Sequence, residues 1–328
     1  MKFIKQIAIT VGCALGCTLV CVTNAFSQGA ANYPDKPIKI IVSFTAGGTT
    51  DILAREVANQ MSIRWKVPVL VENKPGAAGN LGTEIVGRAA PDGYLLLANS
   101  IGPISINPTL FGNLAVNPQK ALDPVALLGD VPNILVVPAS SGIKTWKEFQ
   151  AYAKSNSGNL NYGSTGIGTT AHLISFLFSQ KTGIEAMHIP YKGAEATRDL
   201  VAGRLQFMFA TAHSVIPLIK AGQLNAIAVA SKKRISAMPD LPTLNELGVD
   251  IATGAWFGLF APVGTNPAIV KKLNETVVSI LDEPAIRQKL LGLGADPILM
   301  NVQEFTKFVR SDYALWAPIV KASGAKPE

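Results

Sequence analysis

The 328-residue sequence predicts an α/β protein built from two units, each a sheet flanked by helices. Two observations carry the prediction. Short β-branched runs alternate with helical stripes from residue 38 to residue 98, and the alternation begins again at residue 134. In each unit, a loop rich in Gly and Thr joins a strand to the helix that follows it.

Residues 38–44, IKIIVSF, read as a buried strand. A Gly-Gly turn follows. From Asp51, Leu53, Val57, Met61 and Trp65 then recur every four residues, the spacing of one helical face. Residues 67–71 are a second strand and 80–90 a helix, and Pro91-Asp92-Gly93 is a turn before a strand at 94–98. This β-α-β-α-β order argues for a parallel sheet with right-handed crossovers. In the second unit, strands are expected at 134–137, 160–162, 187–191, 205–209 and 226–229. The helices between them include one opened by the capping box Thr145-x-x-Glu148 and one at 169–181 stopped by Gly183. A strand at 256–260 precedes a mostly helical end: 267–281, 284–291, and 302–320 behind an Asn301-x-x-Glu304 box.

If that helical end belonged to the second unit, the second would be twice the size of the first. A balanced division has the chain cross near residue 129 and return near 252. One lobe then holds 28–129 with 252–328 and the other 130–251, joined by two hinge strands. The carboxyl ends of both sheets would border one cleft, where α/β proteins bind ligands.

The amino terminus is a separate matter. Lys2 and Lys5 precede an uncharged stretch at 7–22, and no further charge appears before Asp35. This pattern predicts a secretory signal peptide, residues 1–27, cut near 25–27. The stretch is shorter than the roughly 20 apolar residues that span a bilayer. With the leader go all three cysteines (Cys13, Cys17, Cys21) and two of the 29 basic residues. The mature chain is thus expected to have no thiol or disulfide, and a net charge of +5 in place of +7.

Neither remaining charge nor motif points to catalysis or nucleic acid. Lys232-Lys233-Arg234 is the one triple basic run and has no interleaved aromatics. There is no nucleophile-elbow G-x-S-x-G, no HExxH, and no metal-ligand spacing among His172, His188 and His213. His172 reads as a packing or capping residue, His188 as strand filler, and His213 as a residue that could line the cleft. Gly166-x-Gly168-x-x-Ala171 fits a dinucleotide fingerprint, but the next strand ends in Lys192 and not in an acid.

The two Gly-rich loops remain. Phe44-Thr45-Ala46-Gly47-Gly48-Thr49-Thr50-Asp51 and Gly163-Ser164-Thr165-Gly166-Ile167-Gly168-Thr169 each run from a strand into a helix. Bare backbone N–H groups, a positive helix end and hydroxyls make an anion cradle without any cationic side chain. Two such cradles on facing lobes could grip the two ends of a dianion. The plainer reading of each loop alone is helix capping.

At the level of ordered motifs the chain, from about Tyr33 to Pro327, resembles the Bug-type periplasmic solute receptors of tripartite tricarboxylate transporters. The resemblance rests on Tyr33-Pro34-Asp35-Lys36-Pro37, Phe44-x-x-Gly47-Gly48-x-x-Asp51, residues 71–80 (VENKPGAAGN) and Pro91-Asp92-Gly93-Tyr94. Residues 160–164 (LNYGS), His172-Leu173 and Pro190-Tyr191-Lys192-Gly193 continue it, followed by Ile219-Lys220-Ala221-Gly222 and Leu241-Pro242-Thr243. It implies a two-lobed periplasmic-binding-protein fold of type II (Venus flytrap) in the periplasm of a Gram-negative cell. It further implies a non-enzymatic, monomeric receptor, without metal or cofactor, that passes a small organic carboxylate to membrane permease subunits. The ligand-binding residues it implies are Phe44, Thr45, Ala46, Gly47, Gly48 and Asp51 in one loop. In the other loop they are Ser164, Thr165, Gly168 and Thr169. Asn99, Ser100, Tyr191 and Ala210 complete the set. Relatives often carry Asp where Ala210 stands, so an amino acid ligand is disfavoured against a plain di- or tricarboxylate or an aromatic acid. Two alternatives stay open: an exported α/β enzyme acting on a small acid, and a sensory binding protein without a permease.

Overall fold

The computed structural model describes residues 32–191, 195–292 and 294–327. The expected leader and Lys192-Gly193 therefore lie outside the described residues.

Ten strands form two five-stranded sheets among the described residues. The first sheet has the order β2-β1-β3-β10-β4, with β1 Ile38–Val42, β2 Val69–Asn73, β3 Leu95–Ser100, β4 Leu122–Val131 and β10 Ala255–Pro262. The second has the order β7-β6-β8-β5-β9: β5 Asn133–Pro138, β6 Leu160–Ser164, β7 Ala186–Pro190, β8 Phe207–Thr211 and β9 Leu224–Ala230. The main helices are α1 Thr49–Trp65, α2 Asn80–Gly87, α3 Trp146–Ser155, α4 Thr170–Thr182, α5 Glu195–Val201, α6 Ala212–Lys220, α7 Pro267–Leu281, α8 Pro284–Gly292 and α9 Val302–Ala322. Both predicted capping boxes form, at Thr145/Glu148 and Asn301/Glu304. The stripe Leu53, Val57 and Met61 is buried against the first sheet, and Trp65 stacks edge-on to Tyr33.

The parallel expectation needs correction. β1 runs parallel to β2 and β3, and β6 parallel to β7 and β8, but β10 and β5 are antiparallel to both their neighbours. The cause is the crossover. β4 runs in the direction of β3, so it ends on the same border as the loops that follow β1 and β3. Only Pro132 separates it from β5. β5 must therefore enter the second sheet from that border and run away from it, against β8. β9 ends on the same side, and the chain returns as β10, which is inverted in the first sheet for the same reason. Each sheet thus has one inverted strand, the one that enters it from the crossover. The carboxyl ends of the parallel strands of both sheets point toward this crossover.

β4 itself escapes sequence reading. Val125–Leu128 is a short apolar run between Asp-Pro and Gly-Asp, and its burial on both faces removes any alternation. β2 starts two residues later than expected because Pro68, lacking an N–H, serves only as an acceptor, from Ile38.

The crossover is tightly built. The Ala212 N–H donates to the Pro132 carbonyl (2.9 Å), and Asp130 and Asp296 exchange backbone hydrogen bonds of 3.1 and 2.8 Å. A Cβ on Gly254 would lie 2.9 Å from Pro132 Cα, so only glycine lets the returning strand pass so close. Burial, reinforced by Asp296 and Asp312, pushes the Asp130 carboxyl up to about 7.

Candidate functional site

The first loop is shaped from behind by Asp51. Its carboxylate is buried and accepts from the Gly47 N–H (2.9 Å), Arg55 Nε (2.9 Å) and Asn73 Nδ2 (2.9 Å). Asn73 also donates to the Phe44 carbonyl (3.0 Å) and accepts from Arg55 Nη2 (2.9 Å). Burial alone would raise this carboxyl, but the bonds from Arg55, Gly47 and Asn73 outweigh it and hold the group below the ordinary carboxylate range. Asp51 is thus a structural anchor whose lone pairs are spent inside the loop. Thr45, Ala46 and Gly47 stay exposed at its tip.

The second loop is also anchored from behind. Ser164 is fully buried: its hydroxyl donates to the Gly166 carbonyl (3.0 Å), accepts from the Gly166 N–H (3.2 Å) and meets His188 Nε2 at 2.7 Å. Thr169 caps α4 and donates to the Gly166 carbonyl (2.7 Å). The Gly168 N–H donates to His172 Nδ1 (3.1 Å). Thr165, exposed at the tip, has a hydroxyl with no hydrogen-bond partner among the described residues. The Ser164–His188 contact is no nucleophile–base pair, because the serine has no exposed surface and sits under its own loop.

The remaining predicted residues are distributed unevenly. Asn99 is buried and turned inward, donating to Thr83 Oγ1 (2.9 Å), while half-buried Ser100 follows it at the end of β3. Tyr191 donates its N–H to the Ser164 carbonyl (3.0 Å) and its hydroxyl to Asp199 (2.9 Å). Ala210 lies within β8, opposite Ile134, almost wholly buried.

Capping separates the helix starts. The helices behind Thr145, Thr169, Asn266 and Asn301 carry side-chain caps. Those behind Gly48 (α1), Gly79 (α2) and Thr211 (α6) do not. The start of α1 adjoins the other two. Phe44, in the loop before α1, lies against Gly79, and Thr49 Oγ1 at the start of α1 reaches His213 Nε2 at the start of α6, 3.1 Å away. The Thr49–His213 contact spans the two sheets, and Gly168 meets Leu110 there as well; a Cβ on Gly168 would come 2.4 Å from Leu110 Cδ2. In α1, the N–H groups of Thr49, Thr50 and Asp51 have no partner among the described residues. The loop and first turn of α1 contain no cationic side chain, so this is donor geometry suited to an anion held by backbone dipoles.

Sequence reasoning missed the start of α6 because Pro217 within the helix and the adjoining strand disguise it. It missed Arg55 as a loop anchor, although its i, i+4 spacing from Asp51 is a readable signal.

Residues 53–325 match the sequence model of the tripartite tricarboxylate transporter family receptor. Among curated proteins, the chain is similar to the UPF0065 protein in the gbd 5' region of Cupriavidus necator (38% identical, covering 85% of each). It is also similar to protein BugT of Bordetella pertussis (33% identical, covering 90% of this chain and 92% of that protein). Among solved structures, R. palustris Rpa4515 with adipate aligns with a TM-score of 0.80 at 32% identity, covering 90% of this chain and all of that one. MatC from Rhodopseudomonas palustris with bound malate aligns with a TM-score of 0.74 at 32% identity, covering 88% of this chain and all of that one.

Proposed function

The chain belongs to the family of tripartite tricarboxylate transporter receptors, and we propose that it captures a small organic carboxylate between its two sheets and delivers it to membrane permease subunits. It is a periplasmic receptor and not an enzyme. The observation that carries the reading is the uncapped first turn of α1, which offers three N–H groups beside a loop held open by Asp51. The adipate and malate in the two similar structures belong to the same chemical class.

Within this proposal, the carboxylate contacts are Thr45, Ala46, Gly48 and the first-turn N–H groups on one side, and Thr165 with the loop to Thr169 on the other. Asp51, Ser164 and Gly168 shape the loops from behind. Ala210 brings no carboxylate to the second sheet, which favours an acid without an ammonium group. The lobes are 28–129 with 252–328 against 130–251, export uses the leader at 1–27, and the receptor acts as a monomer. Thermal shift of refolded, ligand-free protein with adipate, malate, citrate, benzoate and glutamate tests the reading. A ligand at a hundredfold its Kd stabilises the folded state by about 2.7 kcal/mol, an upward shift in Tm of several degrees. The expected result is a shift with at least one plain acid and none with glutamate. No shift with any of the five would count against the proposal.

A further inference from the structure

His172 and His188 sit directly beneath the second loop, and the family reading gives neither of them a role. Their rings stack face to face, with centroids 3.9 Å apart and planes 7° from parallel. Tyr162 stacks on the other face of His188 at 5.0 Å. Each ring holds a different end of the loop: His188 Nε2 meets Ser164 Oγ at 2.7 Å, and His172 Nδ1 accepts the Gly168 N–H at 3.1 Å. Because Nδ1 accepts, His172 is in the Nε2–H tautomer. We propose that the stacked His172–His188 pair is the positioning device of the second loop, with His172 fixing Gly168 and His188 fixing Ser164, so that the exposed residues between them keep the shape that meets the ligand.

The hydrogen-bond pattern shows why a device is needed. Gly166 and Gly168 give the loop the backbone freedom to cradle an anion, and the same freedom lets it collapse when empty. Ser164 and Thr169 both bond to Gly166, leaving Gly168 to be fixed from below, where His172 is the one partner its N–H has among the described residues. The described groups in contact with the two rings are the Tyr162 ring, the Ser164 hydroxyl and the Gly168 amide, none of them charged near neutral pH. Burial depresses both rings to about 4, and at His188 the neighbouring His172 also disfavours charge. The acceptor at Nδ1 therefore stays available across the neutral range.

The inference rests on the receptor reading, so its test has one readout that needs no ligand. In the ligand-free mature protein, ring-nitrogen NMR should show His172 with an unprotonated Nδ1. Exchange of the Gly168 amide should be about tenfold faster in His172→Phe, which keeps the stack and loses the acceptor, and unchanged in His172→Asn, whose Oδ1 replaces Nδ1. Calorimetry with malate and adipate as probes should give about tenfold weaker binding for His172→Phe and recovery in His172→Asn, at similar Tm. Equal Gly168 exchange in wild type and His172→Phe would overturn the proposal, as would equal affinity. If wild type binds neither acid, the receptor reading fails for these probes and the exchange readout still decides the positioning role. If His172→Phe does not fold, the pair His188→Gln and His188→Ala asks the same question at Ser164, with Gln expected to preserve amide protection in the loop and Ala to lose it.

Discussion

At the scale of single residues, the loops work because their polar side chains are spent on their own backbones. Asp51 is the strongest example, with three donors on one buried carboxylate. Replacing it with Asn puts an NH2 where an acceptor is required and leaves a donor of Gly47, Arg55 or Asn73 without a partner. The expected cost of Asp51→Asn is about 1–3 kcal/mol, read as a lower urea midpoint with an unchanged slope. The sequence identifies Asp51 by its place before a helical stripe, but its partner Asn73 comes from the end of β2, 22 residues away. That proximity follows from the β1–β2 register, in which Val42 faces Asn73. His172 and His188 are illegible for the same reason: a packing histidine and an anchoring histidine look alike until the strand and helix that carry them are brought together.

At the scale of elements, helix and strand periods were readable and strand direction was not. The stripe from Leu53 and both capping boxes are local patterns, and they formed as expected. The inversion of β5 and β10 follows from the crossover, a property of the whole chain path. Two groups of titrating residues report on these elements, with opposite signs. Unfolded His172 and His188 bind protons below about 6.5, whereas the folded rings stay neutral down to about 4. Between those values the unfolded chain binds more protons, so this contribution to stability falls as pH falls. The double variant His172→Asn/His188→Gln should show a flatter loss of urea midpoint from pH 6.5 to 4.5 than wild type. At the crossover the sign reverses. Folded Asp130 keeps its proton up to about 7, while in the unfolded chain it ionises from about 3.9. The folded state binds more protons across that window, so this contribution falls as pH rises. Asp130→Asn removes the slope, and its midpoint should match wild type near pH 3.5 and exceed it at pH 7.5. A constant difference between the two proteins at both pH values would contradict the account of the crossover carboxyl.

At the scale of the whole molecule, two mixed sheets point the carboxyl ends of their parallel strands at one another across a crossover with a single-residue link at Pro132. Three helix starts without side-chain caps lie at this border, and helices packed on the two sheets meet there through Thr49 and His213. The net positive charge does not describe this site, which is built from glycine, threonine and backbone dipoles. The central claim is that an acid is held on the first turn of α1. Gly48 offers the direct test, because it has an ordinary backbone conformation and a Cβ there would find its nearest atom, the Thr45 carbonyl, at 3.5 Å. A valine should therefore fold in place and project into the cradle. Calorimetric titration of wild type and Gly48→Val with the acid that gives the largest thermal shift is the decisive measurement. One acid should bind per wild-type chain, with at least about a hundredfold weaker binding to a folded Gly48→Val. Equal affinity of the two proteins would contradict the central claim.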